Sequence, residues 1–181
     1  AEQIKSEFSS QNELRWALQE QQLGTGHAVM QAMPSIDITK PEKRVLVLYG
    51  DVPLTNFSTL SKLVQQASAS TLCLLTLVTE NPAGLGRIVR NNAGEITAIV
   101  EEKDASEAQK QIKEINTGIM VIPATKLNTW LNSLGNNNAQ GEYYLTDVVA
   151  MAAADDYCAI SAMVIDDENE VQGVNDKAQL A

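Results

Sequence analysis

The chain has 181 residues, enough for one domain with a sizeable core, and 44% of them are hydrophobic against 20% charged. That balance excludes the disordered and fibrous classes. A formal net charge of −10 argues against a nucleic-acid partner, because nothing replaces the counterions that a phosphate backbone releases.

Ala1 to Gln11 is polar and mixed in charge, unlike a signal peptide, and the lack of a starting methionine reads as a trimmed chain. Leu14 to Gln19 reads as a short strand leading into Gly24-Thr25-Gly26 and a helix from about His27 to Met33. Val45 to Tyr49 (VLVLY) has the length and continuity of a buried central strand, ended sharply by Gly50-Asp51-Val52-Pro53. A helix over Ser58 to Ala67 follows, with Leu60, Leu63, Val64 and Ala67 on one face. Leu72 to Val78 is the next buried strand. Arg87 to Arg90 and Glu95 to Glu101 alternate apolar and polar around Asn91-Asn92-Ala93-Gly94, which signals a β-hairpin inserted into the α/β rhythm. Ile115 to Ile122 reads as a strand and Ala124 to Leu134 as a helix. A polar loop from Gly135 to Gly141 leads to a helix from about Leu145 to Ala154, and Ala159 to Ile165 reads as a last strand. The pattern implies one α/β domain with a mainly parallel, mixed sheet.

Few residues qualify for covalent or metal chemistry. Cys73 and Cys158 lie in apolar runs and read as small hydrophobes of a reducing cytoplasm. His27 is the one histidine, so a zinc cluster or a histidine-based triad is excluded. No apolar run approaches the roughly 20 residues that span a bilayer, so no membrane partner is expected. Asp51, past the carboxyl end of its strand, reads equally as a Mg²⁺ ligand or as a turn aspartate capping the next helix. Gly24 and Gly26 suit the close approach of a ligand to a helix start, or a plain strand-to-helix turn. In a continuing strand Glu101 and Lys103 face the same side and suit sugar hydroxyls and a phosphate, though a solvated edge strand reads as well. Asn116-Thr117-Gly118 and Gly173-Val174-Asn175 stand at element boundaries, where turn chemistry is the plain alternative. Met120, Met151 and Met163 read as core filling, and Asp166-Asp167-Glu168 as a solvated loop.

No motif decides singly, but their joint order does. Q-x-x-x-x-G-T-G-H (Gln19 to His27), L-Y-G-D-V-P-L (Leu48 to Leu54) and G-x-G-R-I (Gly84 to Ile88) come first. V-E-x-K-D-A (Val100 to Ala105), E-I-N-T-G-I (Glu114 to Ile119), N-N-N-A-Q-G-E-Y-Y-x-T-D (Asn136 to Asp147) and V-x-G-V-N (Val171 to Asn175) follow. Together they resemble the uridylyltransferase half of the bacterial bifunctional N-acetylglucosamine-1-phosphate uridyltransferase / glucosamine-1-phosphate N-acetyltransferase family.

The resemblance implies a Rossmann-like nucleotidyltransferase domain that makes UDP-N-acetylglucosamine and pyrophosphate from UTP and N-acetylglucosamine 1-phosphate, for peptidoglycan and lipopolysaccharide precursors. It implies that Gln19, Gly24 and Thr25 read the uracil and that Tyr49, Gly50 and Asp51 lie along the ribose and phosphates. Asp51 and Asn175 would be the catalytic pair holding Mg²⁺. Gly86, Glu101 and Asn116, with Thr146 nearby, would grip the amino-sugar, and His27 takes no catalytic part. The family opens with a strand and a Gly-rich loop of the L-A-A-G-x-G-T-R-M type, which bind the triphosphate. No such string occurs in this sequence, so about 50 residues, more than one βαβ unit, are expected to be missing ahead of Ala1. Little or no uridylyltransferase activity is expected for the chain alone, and a neighbouring sheet edge is expected to be unpaired. The family's acetyltransferase β-helix would lie beyond Ala181, and the whole protein would be a cytoplasmic homotrimer. Two other readings stay open: an enzyme for a different sugar 1-phosphate, and a non-catalytic fragment that binds nucleotide-sugars.

Overall fold

The structure, a computed structural model, describes residues 2–174. Its frame is a six-stranded mixed sheet formed by β1 (Arg44–Val47), β2 (Thr71–Val78), β3 (Arg87–Arg90), β4 (Ile96–Val100), β5 (Glu114–Pro123) and β6 (Ala159–Ile165). Helices α1 (Glu2–Glu7), α2 (Thr25–Ala32), α3 (Phe57–Gln66), α4 (Glu107–Lys110), α5 (Ala124–Leu131) and α6 (Asp147–Ala153) complete it, with short 3₁₀ turns at Met33–Ser35 and Glu168–Val171.

β5 organises the sheet. Along one edge it pairs antiparallel with β2. Its C-terminal half pairs with β1 (Arg44↔Pro123 to Val47↔Met120) and its N-terminal end with β3 (Arg87↔Ile115), so these two short strands share its other edge. β1, β2, β3 and β6 therefore run in one direction, in keeping with the expected majority. Because the opposed β5 is inserted among them, β2–β6 is the one parallel pairing among the described strands.

Alternation along β2 and β5 supplies two cores. Leu72 and Leu74 of β2, with Met120 and Ile122 of β5, pack under α2, α5 and α6. Cys73, Leu75 and Leu77, with Ile115, Ile119 and Val121, face Leu63 and Ala67 at α3. Each wholly buried leucine of this kind contributes about 1.5–3 kcal/mol. Met151 and Met163 pack against these cores, as expected, and Cys73 is buried with its Sγ 2.9 Å from Ser161 Oγ. No helix among the described residues is long and apolar enough to cross a membrane.

Two expected strands differ. Leu14 to Gln19 forms no strand and is unpaired in any sheet among the described residues, and Leu14, Trp16 and Leu18 are exposed. Local alternation offered a strand pattern, but pairing needs a partner, and none of the described strands reaches it. β1 is half-buried rather than central, because it is short and pairs with β5 alone among the described residues. The hairpin forms where expected: Asn91 Oδ1 accepts from the Ala93 and Glu95 amides, and Gly94 turns at φ +83.

Candidate active site

The gap between β1 and β3 along the edge of β5 leaves residues 116–119 without a strand neighbour on that side. Opposite, the β2–β5 register slips between Leu74 and Thr76, so β5 bulges there. The Thr117 hydroxyl secures the bulge by donating to the Leu75 carbonyl at 2.7 Å, and the Gly118 amide donates to Asn116 Oδ1 at 3.1 Å. A cleft of about 250 Å³ opens at this gap, lined by Thr25, Tyr49, Gly86, Glu101, Asn116 and Thr146 among others.

These residues arrive from different segments. The turn before α2 is docked onto the chain before α6: the Gly26 amide donates to the Tyr143 carbonyl at 2.8 Å, and the Tyr143 amide donates to the Leu23 carbonyl at 2.8 Å. Thr25 Oγ1 accepts from the Leu145 amide at 3.0 Å. Gln19 donates to the Gly24 carbonyl at 3.1 Å, and its amide lies 3.0 Å from His27 Nδ1. Gln19 and Gly24 thus brace the turn that presents Thr25 but do not line the cleft themselves. Thr146 precedes α6 without capping it; its buried hydroxyl donates instead to Glu101 Oε1 at 2.9 Å. Gly86 lies beside Glu101 at the end of the β3–β4 hairpin, where an added Cβ would be 3.4 Å from Glu101 Oε2, and its carbonyl accepts from the Asn116 amide at 2.8 Å.

Tyr49 leaves β1 with its ring over Gly118. Burial, then the negative charges of Glu101 and Asp51, push its phenol above the ordinary range, so it stays a neutral hydroxyl. Gly50 and Asp51 are exposed in the turn beyond. Asp51 is tied by its backbone: its carbonyl accepts from the Val174 amide at 2.7 Å, while Thr55 Oγ1 donates to the Glu170 carbonyl at 2.8 Å. Asn175, the expected partner of Asp51, lies outside the described residues.

Lys103 does not share a strand face with Glu101, because β4 ends at Val100 and residues 102–104 turn. Its ammonium instead donates to Gln140 Oε1 at 2.6 Å, and Asp104 Oδ1 accepts from the Ala139 amide at 2.8 Å. The polar loop is thereby latched over the cleft. It contributes Gln140 to the lining, and the segment after it contributes Glu142 and Tyr144. Sequence reasoning assigned no role to these three or to Thr117, although the first three fall within the N-N-N-A-Q-G-E-Y-Y string. Asp147 lies behind Glu101; burial, then the charges of Glu101 and Asp104, raise its carboxyl.

The carboxylate of Asp51 offers a hard oxygen, which suits Mg²⁺, an ion that takes one or two carboxylates and completes its shell with water and phosphate oxygens. Among the described residues no group of three or more His, Cys, Asp or Glu side chains could hold a metal by itself. The fit is therefore of the kind that substrate phosphates complete.

Residues 1–169 match the nucleotidyl transferase family. The whole chain is 53% identical to the Bifunctional protein GlmU of Pseudomonas entomophila (strain L48), and 51% identical to that of Pseudomonas putida (strain GB-1) and to that of Burkholderia mallei (strain SAVP1). The chain spans 38% of the length of the two Pseudomonas proteins and 39% of the Burkholderia one.

Proposed function

The chain belongs to the nucleotidyl transferase family, and from that membership we propose that its cleft serves uridylyl transfer between UTP and N-acetylglucosamine 1-phosphate. An oxygen of the sugar phosphate attacks the α-phosphorus of UTP, the bond to the β-phosphate oxygen breaks, and pyrophosphate leaves. No covalent enzyme intermediate is needed, so the work of the protein is positioning and charge neutralisation. Thr25 reads the uracil from the turn that Gln19 and Gly24 brace, and Tyr49, Gly50 and Asp51 follow the ribose and phosphates. Glu101 accepts from sugar hydroxyls with the oxygen that Thr146 leaves free, while Asn116 and the backbone at Gly86 orient the acetamido end. A divalent cation, Mg²⁺ in this reading, neutralises phosphate charge when held by Asp51 and Asn175.

The observation that carries the proposal is the meeting of Thr25, Tyr49, Gly86, Glu101, Asn116 and Thr146, from separate chain segments, on one cleft. The same reading assigns the chain to a longer cytoplasmic homotrimer with an acetyltransferase domain, supplying peptidoglycan and lipopolysaccharide precursors. Calorimetric titration of the purified chain with UDP-N-acetylglucosamine and UDP-glucose, in Mg²⁺, tests the site. Binding of the first, preferred over the second and weakened by Glu101→Ala, is expected. Equal or tighter binding of UDP-glucose, or no binding at all, overturns the assignment.

A further inference from the structure

Arg87 is the one charged side chain fully buried among the described residues, at 1% exposure. It opens β3 directly after Gly86. Its guanidinium donates to the Leu85 carbonyl, to Glu102 Oε2 at 2.6 Å and to the Lys110 carbonyl at 3.4 Å. Nε has no hydrogen-bond partner. Burying a cation is costly, and well-packed apolar residues of similar volume often stabilise as much or more. Stability alone therefore gives a poor account of a charge at this position.

The three acceptors share a location instead. Leu85 precedes Gly86, Glu102 follows Glu101, and Lys110 ends α4, just beyond the 102–104 turn. Gly86 and Glu101 lie side by side at the end of the β3–β4 hairpin, next to the Arg87↔Val100 pair, and a Cβ on Gly86 would sit 3.4 Å from Glu101 Oε2. Gly86 also holds the Asn116 amide through its carbonyl at 2.8 Å. One planar guanidinium thus ties together the segments carrying the expected sugar contacts. A lysine, with a single charged nitrogen, cannot span the same three acceptors.

We propose that Arg87 is a positioning residue: through Leu85 and Glu102 it fixes how Gly86 and Glu101 are set beside each other at the cleft, and so sets the grip on the amino-sugar without touching it. The inference rests on the reading of this cleft as the sugar site. Its test uses Arg87→Lys and the paired replacement Arg87→Met with Glu102→Leu, which removes both charges and keeps apolar volume. Calorimetry in Mg²⁺ gives Kd for UDP-N-acetylglucosamine and, separately, for UDP; thermal melting reports the fold. In both variants the Kd for UDP-N-acetylglucosamine is expected to rise about tenfold or more, while that for UDP stays within about twofold of the parent. Melting of the paired variant is expected near that of the parent. Unchanged sugar-nucleotide affinity in either folded variant, or equal weakening of UDP and UDP-N-acetylglucosamine, overturns the positioning role. A parent chain that binds UDP but not its N-acetylglucosamine conjugate overturns the sugar-site reading itself, and the inference with it.

Discussion

Gly118 adopts φ +84, a conformation that side chains rarely tolerate, and a Cβ there would come 2.4 Å from Tyr49 Cε2. Both the backbone and the ring pay for any replacement, so Gly118→Ala is expected to cost about 2–5 kcal/mol by urea denaturation. Adding Tyr49→Ala should return part of that loss, because it removes the atom that the methyl strikes. Strict additivity of the two changes would show that the ring is not the obstacle. Nothing in the local sequence marks this contact, since E-I-N-T-G-I reads as an ordinary strand opening. Arg87 was equally illegible: in R-I-V-R the two arginines look alike, and the difference is made by Glu102, which the hairpin brings back across the sheet.

At the level of elements, Arg90 of β3, Glu114 of β5 and Thr76 of β2 form a polar link across three strands. Arg90 Nε and one terminal nitrogen each reach the Glu114 carboxylate at 2.8 Å, and Thr76 Oγ1 donates to it at 3.0 Å. The Arg90 hydrogen bonds, more than the Thr76 hydroxyl, hold the Glu114 carboxyl below the usual range. A depressed folded value means stability that is present above the unfolded pKa, about 4.3, and lost as pH falls through the folded one. Glu114→Gln is therefore expected to cost about 1 kcal/mol near neutrality, a figure kept low because the arginine is partly exposed. The gap between parent and variant should close in acid, below the folded value. Melting curves across pH check this, and a gap that persists unchanged in acid would remove the ion pair as its cause. Strand and helix positions were largely legible, because period-2 and period-3.6 patterns are local. Pairing order was not, since it depends on β5 lying opposed between strands that share a direction. The misread at Leu14 to Gln19 has the same origin: alternation reports a face, not a partner.

For the molecule as a whole, the net charge of −10 already separates it from proteins that hold phosphates with a basic surface. The cleft sharpens the point: it is lined by Glu101 and Glu142 and by no lysine or arginine among the described residues, while Arg87 is buried behind it. In the proposed reading a diphosphate ligand would enter a negative field, which a divalent cation from solution would offset. Titration with UDP-N-acetylglucosamine is accordingly expected to give a Kd at least about tenfold tighter in Mg²⁺ than in EDTA, which corresponds to about 1.4 kcal/mol. Asp51→Asn should narrow that ratio toward one, because the variant loses the carboxylate that Mg²⁺ prefers. In EDTA, added NaCl should leave binding unchanged or tighten it slightly, since screening relieves repulsion at separations beyond about 8–10 Å. A basic site behaves oppositely and loses affinity steeply with salt through counterion release. A steep loss here would mean that the ligand is held by lysines and arginines away from the cleft. The proposed roles of Glu101, Asn116 and Asp51 toward one diphosphate-sugar would then not hold.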